Sequence, residues 1–227
     1  MDGKSIELPE SMAGLETHDK VFDLVRRFLD RGARIIDLGA GQGAFSKRLA
    51  ELGHEVVAVD SDPANWKVPG IDVLNIDLDT EFAAGIGRGG FDAVVAIEIV
   101  EHVENPFGFA REAAKLLKPG GLFFLTTPNV EAVSSRLIFL YTGRLKHFGA
   151  WETVRPAHIT PIFRWKLGML LAEAGFEIVE EGFNRYEHKT GTNIKGRIAG
   201  IAARALDPFL KGEKGGECRI VVARRTN

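Results

Sequence analysis

The stretch Asp37-Leu38-Gly39-Ala40-Gly41-Gln42-Gly43 decides the fold, because it joins a predicted strand, Arg34–Leu38, directly to a predicted helix, Gly43–Leu52. Glycines permit a positive φ and let the backbone approach a ligand closely. The start of the helix behind them offers N–H groups without intrahelical partners. The stretch therefore predicts a nucleotide-like cofactor at the carboxyl end of the first strand, with a tight turn and no ligand as the alternative.

Outward from this turn, short apolar runs alternate with helical patterns, which is typical of βαβ units and a parallel sheet. Further strands are predicted at Glu55–Asp60, Asp72–Ile76, Phe91–Glu98, Leu122–Thr127, Phe176–Glu181 and Glu217–Ala223. Further helices are predicted at His18–Asp30, from the cap Asn105-Pro106 to Leu117, at Val130–Tyr141, from Thr160-Pro161 to Gly175, and at Asn193–Leu206. Lys118-Pro119-Gly120-Gly121 is predicted to be a turn. The fold class is therefore α/β.

The totals favour one soluble domain over residues 1–227, since 45% of the residues are hydrophobic. The net charge of −2 gives no overall basic field, which weighs against nucleic acid as a partner. The single cysteine, Cys218, excludes an intrachain disulfide framework. The N-terminus lacks the pattern of a signal peptide, and no apolar run approaches the roughly 20 residues that span a bilayer. We expect a cytoplasmic protein.

Asp60 ends the second predicted strand, where a carboxylate can accept hydrogen bonds from both hydroxyls of a ribose. The structural alternative is that Asp60 caps the following turn, Ser61-Asp62-Pro63. The glycine stretch also fits a dinucleotide fingerprint, with Ala44 at the third glycine position. An NAD-dependent oxidoreductase is therefore an alternative at this point.

Four motifs in order resemble those of the class I S-adenosylmethionine-dependent methyltransferases. They are Ile35–Ser46, Val56–Asp60, Phe91–Pro106 and Leu117–Thr127, within a resemblance that covers roughly residues 35–176. The resemblance implies S-adenosyl-L-methionine as the cofactor and demotes the oxidoreductase. It also implies a Rossmann-like, doubly wound, seven-stranded sheet of order 3-2-1-4-5-7-6, with the last strand antiparallel and helices on both faces.

The resemblance assigns a part of the cofactor to each of several residues. Asp37 would orient the methionine end, beside the backbone of Gly39–Gly43. Asp60 would hold the ribose, and Asp77 would meet the adenine amino group. Asp79 is the alternative to Asp77, because it lies only two residues away.

The residues after the fourth strand read Glu98-Ile99-Val100-Glu101-His102, and His158 follows later. If this stretch is helical, Glu98, Glu101 and His102 lie on one side. Carboxylates and imidazoles suit a divalent ion such as Mg²⁺, which would bind a pair of acceptor hydroxyls and lower their pKa. The pattern of two glutamates and a histidine with a second histidine downstream resembles two subgroups of the family: the ubiquinone-biosynthesis O-methyltransferases and the small-RNA 3′-terminal 2′-O-methyltransferases. Glu98 is also expected to lie beside the cofactor.

Two readings of the same residues need no metal. In one, His102 is a general base that Glu101 or Glu98 orients. In the other, these residues only begin a helix, and His158 only precedes the helix entry at Thr160-Pro161. A hydroxyl acceptor must be deprotonated whereas an amine needs little more than alignment, so the catalytic set Glu101, His102 and His158 favours O-methylation.

Residues 128–160 are predicted to form a lid or specificity insertion over the edge of the sheet. Its basic and aromatic residues, which suit an anionic group or surface, are Arg144, Lys146, His147, Trp151 and Arg155. The run Phe139-Leu140-Tyr141 is predicted to line an apolar acceptor pocket or to bury the lid.

The helix predicted at Asn193–Leu206 carries apolar residues on one face and basic residues opposite. The apolar set is Ile194, Ile198, Ile201 and Ala205, and the basic set is Lys195, Arg197 and Arg204. An ordinary packed helix is favoured over one that lies on a membrane surface.

The sequence thus predicts a methyltransferase that acts on an oxygen of a small-molecule, lipid-linked or sugar-linked acceptor, with a divalent metal as an assistant. Small-RNA 2′-O-methylation is the alternative within the family, and the lack of a basic excess weighs against it. Peripheral membrane contact stays open. No oligomeric state is predicted.

Overall fold

A computed structural model describes residues 9–10, 13–14, 16–154, 157–185, 194–212 and 214–226. Two residues named above, Arg155 and Asn193, lie outside the described residues, and so does the side chain of Lys195.

Seven helices and seven strands make up the described part of the chain. The helices are α1 (Thr17–Phe28), α2 (Ala44–Glu51), α3 (Phe82–Ile86), α4 (Pro106–Leu116), α5 (Val133–Thr142), α6 (Arg164–Glu173) and α7 (Ile194–Leu206). The strands are β1 (Arg34–Leu38), β2 (Glu55–Asp60), β3 (Val73–Asn75), β4 (Phe91–Ile97), β5 (Leu117–Pro128), β6 (Phe176–Phe183) and β7 (Cys218–Arg225). Short 3₁₀ turns lie at Pro63–Asn65 and Asp207–Phe209.

The strands form one sheet of order β3-β2-β1-β4-β5-β7-β6, which confirms the predicted topology. The pairs among β1 to β5 are parallel, whereas β7 is antiparallel to both of its neighbours. Since β1 lies between β2 and β4, the chain reverses its direction of winding there. Such a switch point opens a crevice beyond the carboxyl ends of the strands.

Hydrophobic side chains fill both faces of the sheet, as the alternation of side chains along a strand requires. Ile36 and Val94 lie in a core with α3, α4 and α6, whereas their neighbours Ile35 and Val95 lie in a second core with α1 and α2. Helices therefore cover both faces, as predicted.

The predicted start of α4 is confirmed by a single hydrogen bond. Asn105 Oδ1 accepts a hydrogen bond from the Gly108 amide at 2.9 Å, so Asn105 is the N-cap of α4, with Pro106 at its first position. The predicted turn at Lys118–Gly121 falls within β5 as an irregularity. There the pairing with β4 jumps from Phe91–Leu117 to Ala93–Leu122.

The helix predicted to restart at Thr160-Pro161 begins instead at Arg164, so this prediction is wrong. The amides of Ile159 and Thr160 both donate to the Glu101 carbonyl at 3.0 Å. The Thr160 hydroxyl donates to the Val103 carbonyl at 2.8 Å. These long-range bonds hold the segment against the loop after β4 and outside a helix, so His158 does not precede a helix cap.

The helix predicted at residues 193–206 forms as α7 and packs against α5, but its large apolar side chains are not on the packed face. Ile194, Ile198 and Ile201 are exposed, whereas Ala203 is fully buried. The helix thus packs through a small side chain and turns its large apolar side chains outward. Among the described residues, no helix is long and apolar enough to cross a membrane.

Candidate functional site

The glycine turn between β1 and α2 adopts the conformation that its sequence predicts. Gly39, Gly41 and Gly43 have φ values of +72°, +56° and +90°, a region that side chains disfavour. A Cβ on Gly39 would lie 2.0 Å from Ile99 Cδ1, and a Cβ on Gly43 would lie 2.6 Å from Val68 Cγ2. The turn therefore leaves no room for side chains at these two glycines, and its open backbone fits a closely bound cofactor.

Asp60 at the end of β2 already holds the glycine turn in place. Its Oδ2 accepts a hydrogen bond from the Gly41 amide at 2.7 Å, and its Oδ1 accepts one from the Asp62 amide at 2.8 Å. Each carboxylate oxygen retains a second lone pair. Asp60 thus caps the turn after β2, and it retains the capacity to bind ribose hydroxyls.

Asp37 lies behind the turn and is almost fully buried. Its Oδ2 accepts a hydrogen bond from the Ser46 hydroxyl of α2 at 2.6 Å. Burial raises the pKa of Asp37 from 3.8 to about 7, although the Ser46 hydrogen bond opposes the rise. Without a cationic partner, this carboxyl therefore holds its proton close to neutral pH.

The raised pKa predicts a fall in stability with rising pH. Between pH 4 and pH 7 the folded chain keeps a proton on Asp37 that the unfolded chain has lost, so the free energy of unfolding decreases as pH rises. A pKa difference from 3.8 to about 7 corresponds to about 4 kcal/mol. In urea unfolding at several pH values, Asp37→Asn should gain stability relative to wild type as pH rises. Parallel curves for the two proteins would contradict the assignment.

The two acids after β3 have different contacts. Asp77 Oδ1 accepts from the Asp79 amide at 2.9 Å, and Asp79 Oδ1 accepts from the Glu104 amide at 2.6 Å. Asp79 therefore ties this loop to the loop after β4. Asp77 bonds only within its own loop among the hydrogen bonds of the described residues, and its side chain is exposed.

The stretch Glu98–His102 forms a turn, so the helix that would align Glu98, Glu101 and His102 on one side does not form. Glu98 has a left-handed φ of +54°, and the His102 amide donates to the Ile99 carbonyl at 2.9 Å. A non-glycine residue in this region is strained, and such strain is concentrated at functional sites. The turn sends Glu98 toward the N-terminal segment, where its Oε2 accepts from the Gly14 amide at 2.7 Å.

His158 meets Glu101 and His102 although more than fifty residues separate it from them in the chain. Their ligating atoms all lie within 4.8 Å of one another, and the two imidazole rings meet edge to face with centroids 4.6 Å apart. Glu98 is outside this group. The structure thus assembles three of the four predicted metal ligands.

The polar atoms of this cluster lack the hydrogen bonds that buried groups usually make. Glu101 is fully buried, and neither of its carboxylate oxygens accepts a hydrogen bond; His158 Nδ1 is also buried without a partner. The backbone of Glu101 itself and the Thr127 hydroxyl lower the pKa of Glu101, but neither reaches hydrogen-bond geometry with its carboxylate. A buried carboxylate without partners is costly unless a cation compensates it.

The pKa shifts of Glu101 and His102 also favour a bound cation at this cluster. Burial, followed by the negative charge of Glu98, raises the pKa of Glu101 well above its usual range. Burial, followed by the charge of His158, lowers the pKa of His102, so its ring is neutral at pH 7. The Ala157 backbone opposes this fall in the pKa of His102, which places it close to the ring. The cluster fits a divalent cation.

The sequence analysis assigned no place at the site to two of its neighbours, Gly14 and His147. The Gly14 amide holds Glu98, and no local signal in a polar N-terminal segment indicates this contact. His147 was included only in the basic character of the insertion. It has a left-handed φ of +66°, and its pKa is lowered to about 4, mainly by burial and then by Lys146. A histidine in such a conformation follows from tertiary packing, which a single sequence does not reveal.

Comparisons with known proteins agree on the family. A family model described as a methyltransferase domain matches residues 15–181. The ubiquinone biosynthesis O-methyltransferase of Xanthomonas axonopodis pv. citri is 31% identical over 176 residues, covering 72% of this chain and 73% of the relative. The enzyme of the same name from Xanthomonas oryzae pv. oryzae is 39% identical over 156 residues, covering 63% and 65%.

Solved structures share the fold. A SAM-dependent methyltransferase from Archaeoglobus fulgidus superimposes with a TM-score of 0.63 at 19% identity, covering 92% of this chain and 94% of the other. At this identity the similarity concerns the architecture alone.

Proposed function

Since the chain belongs to the class I S-adenosylmethionine-dependent methyltransferases, we propose that it methylates one oxygen of a small acceptor with two adjacent hydroxyls, aided by a divalent ion. Membership of this family excludes the NAD-dependent oxidoreductase that the glycine stretch alone allowed. One observation carries the proposal: the Glu101 carboxylate is buried, has no hydrogen-bond partner, and lies against two imidazoles. The name of the similar Xanthomonas enzymes, O-methyltransferase, supports oxygen as the acceptor atom.

The residues divide into a cofactor end and a chemistry end. S-adenosylmethionine supplies an activated methyl group and its own leaving group. Gly39, Gly41 and Gly43 would hold it by close backbone approach, Asp60 would bind its ribose, and Asp37 would face its methionine end. Asp77 would bind the adenine amino group, and the strained residue Glu98 would border the methyl donor.

At the chemistry end, Glu101, His102 and His158 would ligate the ion, which supplies the charge that lowers the pKa of an acceptor hydroxyl. Two imidazoles and one carboxylate suit a first-row transition ion better than Mg²⁺, which prefers oxygen ligands and keeps several waters. In the metal-free reading, Glu101 would orient His102 by a hydrogen bond, but neither Glu101 oxygen has one.

The insertion 128–160 would act as the lid that sets acceptor specificity. Its last residues, 157–160, already contact the site through the Glu101 carbonyl, and Phe148 contacts the His158 ring with centroids 5.6 Å apart. The insertion thus borders the same space that an acceptor oxygen would occupy.

Methyl transfer from labelled S-adenosylmethionine tests the proposal. The full chain, stripped of metal by a chelator that is then removed, should methylate catechol only after addition of Mn²⁺, Co²⁺ or Zn²⁺, with Mg²⁺ less effective. Phenol, which has a single hydroxyl, should be a poor acceptor. An unchanged rate in the stripped enzyme would contradict the role of the metal, and equal rates with phenol would contradict the hydroxyl pair.

A further inference from the structure

Large apolar side chains are exposed on α5, on α7 and on the 3₁₀ turn that follows α7. We call this surface the α5–α7 face; its members are Phe139, Leu140, Tyr141, Ile194, Ile198, Ile201, Leu206 and Phe209. The two helices are in contact, so these exposed side chains lie on neighbouring elements of the surface. Single exposed apolar residues are ordinary, but a cluster of this size marks an interaction surface.

The orientation of α7 is unusual for a helix of a globular domain. Ile194, Ile198 and Ile201 follow helical spacing and are 75%, 62% and 67% exposed, whereas Ala203 is 0% exposed. The helix therefore buries a small side chain against the protein and presents a stripe of isoleucines outward. Tyr141 at the end of α5 is also largely exposed, at 87%.

Polar contacts join the segments that build the face to one another. Arg136 of α5 donates to the Lys211 carbonyl at 2.8 Å, beyond the end of α7. Lys214 pairs with Asp207 at 2.8 Å, which closes the segment after α7 on itself. The outward position of the isoleucines is thus part of an organised structure.

The segments that build the face are basic in a chain that is acidic overall. Residues 194–214 contain five Lys or Arg and two Asp or Glu, and residues 133–151 contain three Lys or Arg and no acid, whereas the whole chain has a net charge of −2. Arg144, Arg197, Arg204 and Lys211 are exposed. Exposed apolar and aromatic side chains on segments rich in exposed basic residues match the composition of surfaces that bind anionic lipid.

We propose that the α5–α7 face docks on a membrane surface that contains anionic phospholipids. The isoleucine stripe and the aromatic residues would enter the headgroup region, and the arginines would meet the lipid phosphates. With 13 residues, α7 is about 20 Å long, so it would lie in the interface rather than span it. The inference rests on the proposed function and deepens it. Because α5 follows β5 in the chain, the docking face lies next to the strand that leads from the site. A docked enzyme could therefore receive an acceptor with a lipid tail.

Vesicle co-sedimentation of the full chain tests the docking without reference to catalysis. We expect binding to vesicles of phosphatidylcholine with 30% phosphatidylglycerol, weaker binding to phosphatidylcholine alone, and a loss of affinity at high salt. The double variant Ile198→Ser/Ile201→Ser should bind at least ~10-fold more weakly, since each isoleucine loses its transfer from water. Arg197→Gln/Arg204→Gln should reduce binding to the anionic vesicles and its salt dependence.

The matched control is Trp165→Ser, which removes an equally large exposed side chain from α6, a helix that packs against α4 and β6. This variant should bind vesicles like wild type, and all variants should keep their turnover of a soluble acceptor. The proposal is overturned if wild type binds neither vesicle, or if the isoleucine variant binds as well as wild type. It is also overturned if sedimentation velocity shows a dimer that this variant abolishes, because a second copy would then cover the face. If wild type binds the anionic vesicles but transfers no methyl group to catechol with metal present, the proposed function alone is contradicted.

Discussion

Glu101→Gln is expected to lower turnover by more than ~100-fold while leaving the affinity for S-adenosylhomocysteine unchanged. Residues that only hydrogen-bond to a metal ligand typically contribute 10- to 100-fold, and a direct ligand contributes more. Glutamine keeps the shape of the side chain but lacks the negative charge. The cofactor end, built on the glycine turn and Asp60, does not contact this carboxylate among the hydrogen bonds of the described residues. Initial rates and calorimetric titration measure the two quantities.

The same variant should not unfold the enzyme. In the absence of metal, the Glu101 carboxyl is buried without a hydrogen bond, so its replacement by a neutral amide removes a cost above neutral pH. The metal-free variant is therefore expected to be at least as stable as metal-free wild type. Glu104→Gln, an exposed acid in the same loop, is the matched control and should keep full turnover. Full turnover in Glu101→Gln, or an equal loss of cofactor affinity, would refute the separation of the two ends.

Asp60→Ala is expected to weaken binding of S-adenosylhomocysteine by 10- to 100-fold. Hydrogen bonds to a charged group contribute about 1.5–3 kcal/mol, and the variant also removes the acceptor for the Gly41 amide. Calorimetric titration measures the effect. Metal binding at Glu101 should be unaffected, because Asp60 lies on a different strand end.

Two variants separate ligand binding from support of the turn. Asp60→Asn retains an acceptor oxygen for the Gly41 amide, and so should bind more tightly than Asp60→Ala but more weakly than wild type. Asp62→Ala removes a neighbouring acid whose side chain bonds only to Asn65 among the hydrogen bonds of the described residues, and it should bind like wild type. If Asp62→Ala and Asp60→Ala lose equal affinity, the ribose assignment is wrong and the loop as a whole matters.

The sequence predicted the features that local chemistry determines. The glycine turn, the strand pattern and the N-cap at Asn105 depend on residues within a few positions of one another. The sheet order needed more than local signals; it came from the ordered motifs of the family, and the structure confirms it.

The features that the sequence did not predict depend on contacts between distant segments. Glu101 and His158 meet because Ile159 and Thr160 bond to the Glu101 carbonyl, not because a helix aligns neighbouring side chains. Glu98 leaves the cluster because its backbone turns at a left-handed φ toward Gly14. Likewise, a helical pattern shows that α7 has an apolar face but not which face the protein covers.

Anomalous diffraction from a crystal of the full chain with S-adenosylhomocysteine and Mn²⁺ or Zn²⁺ tests the central claim most directly. The account predicts one strong peak at about 2.0–2.2 Å from a Glu101 oxygen and from one nitrogen each of His102 and His158. The peak should be absent from Glu101→Gln crystals grown in the same way. A site without a peak at saturating metal, or a peak bound by Glu98 without Glu101, would contradict it.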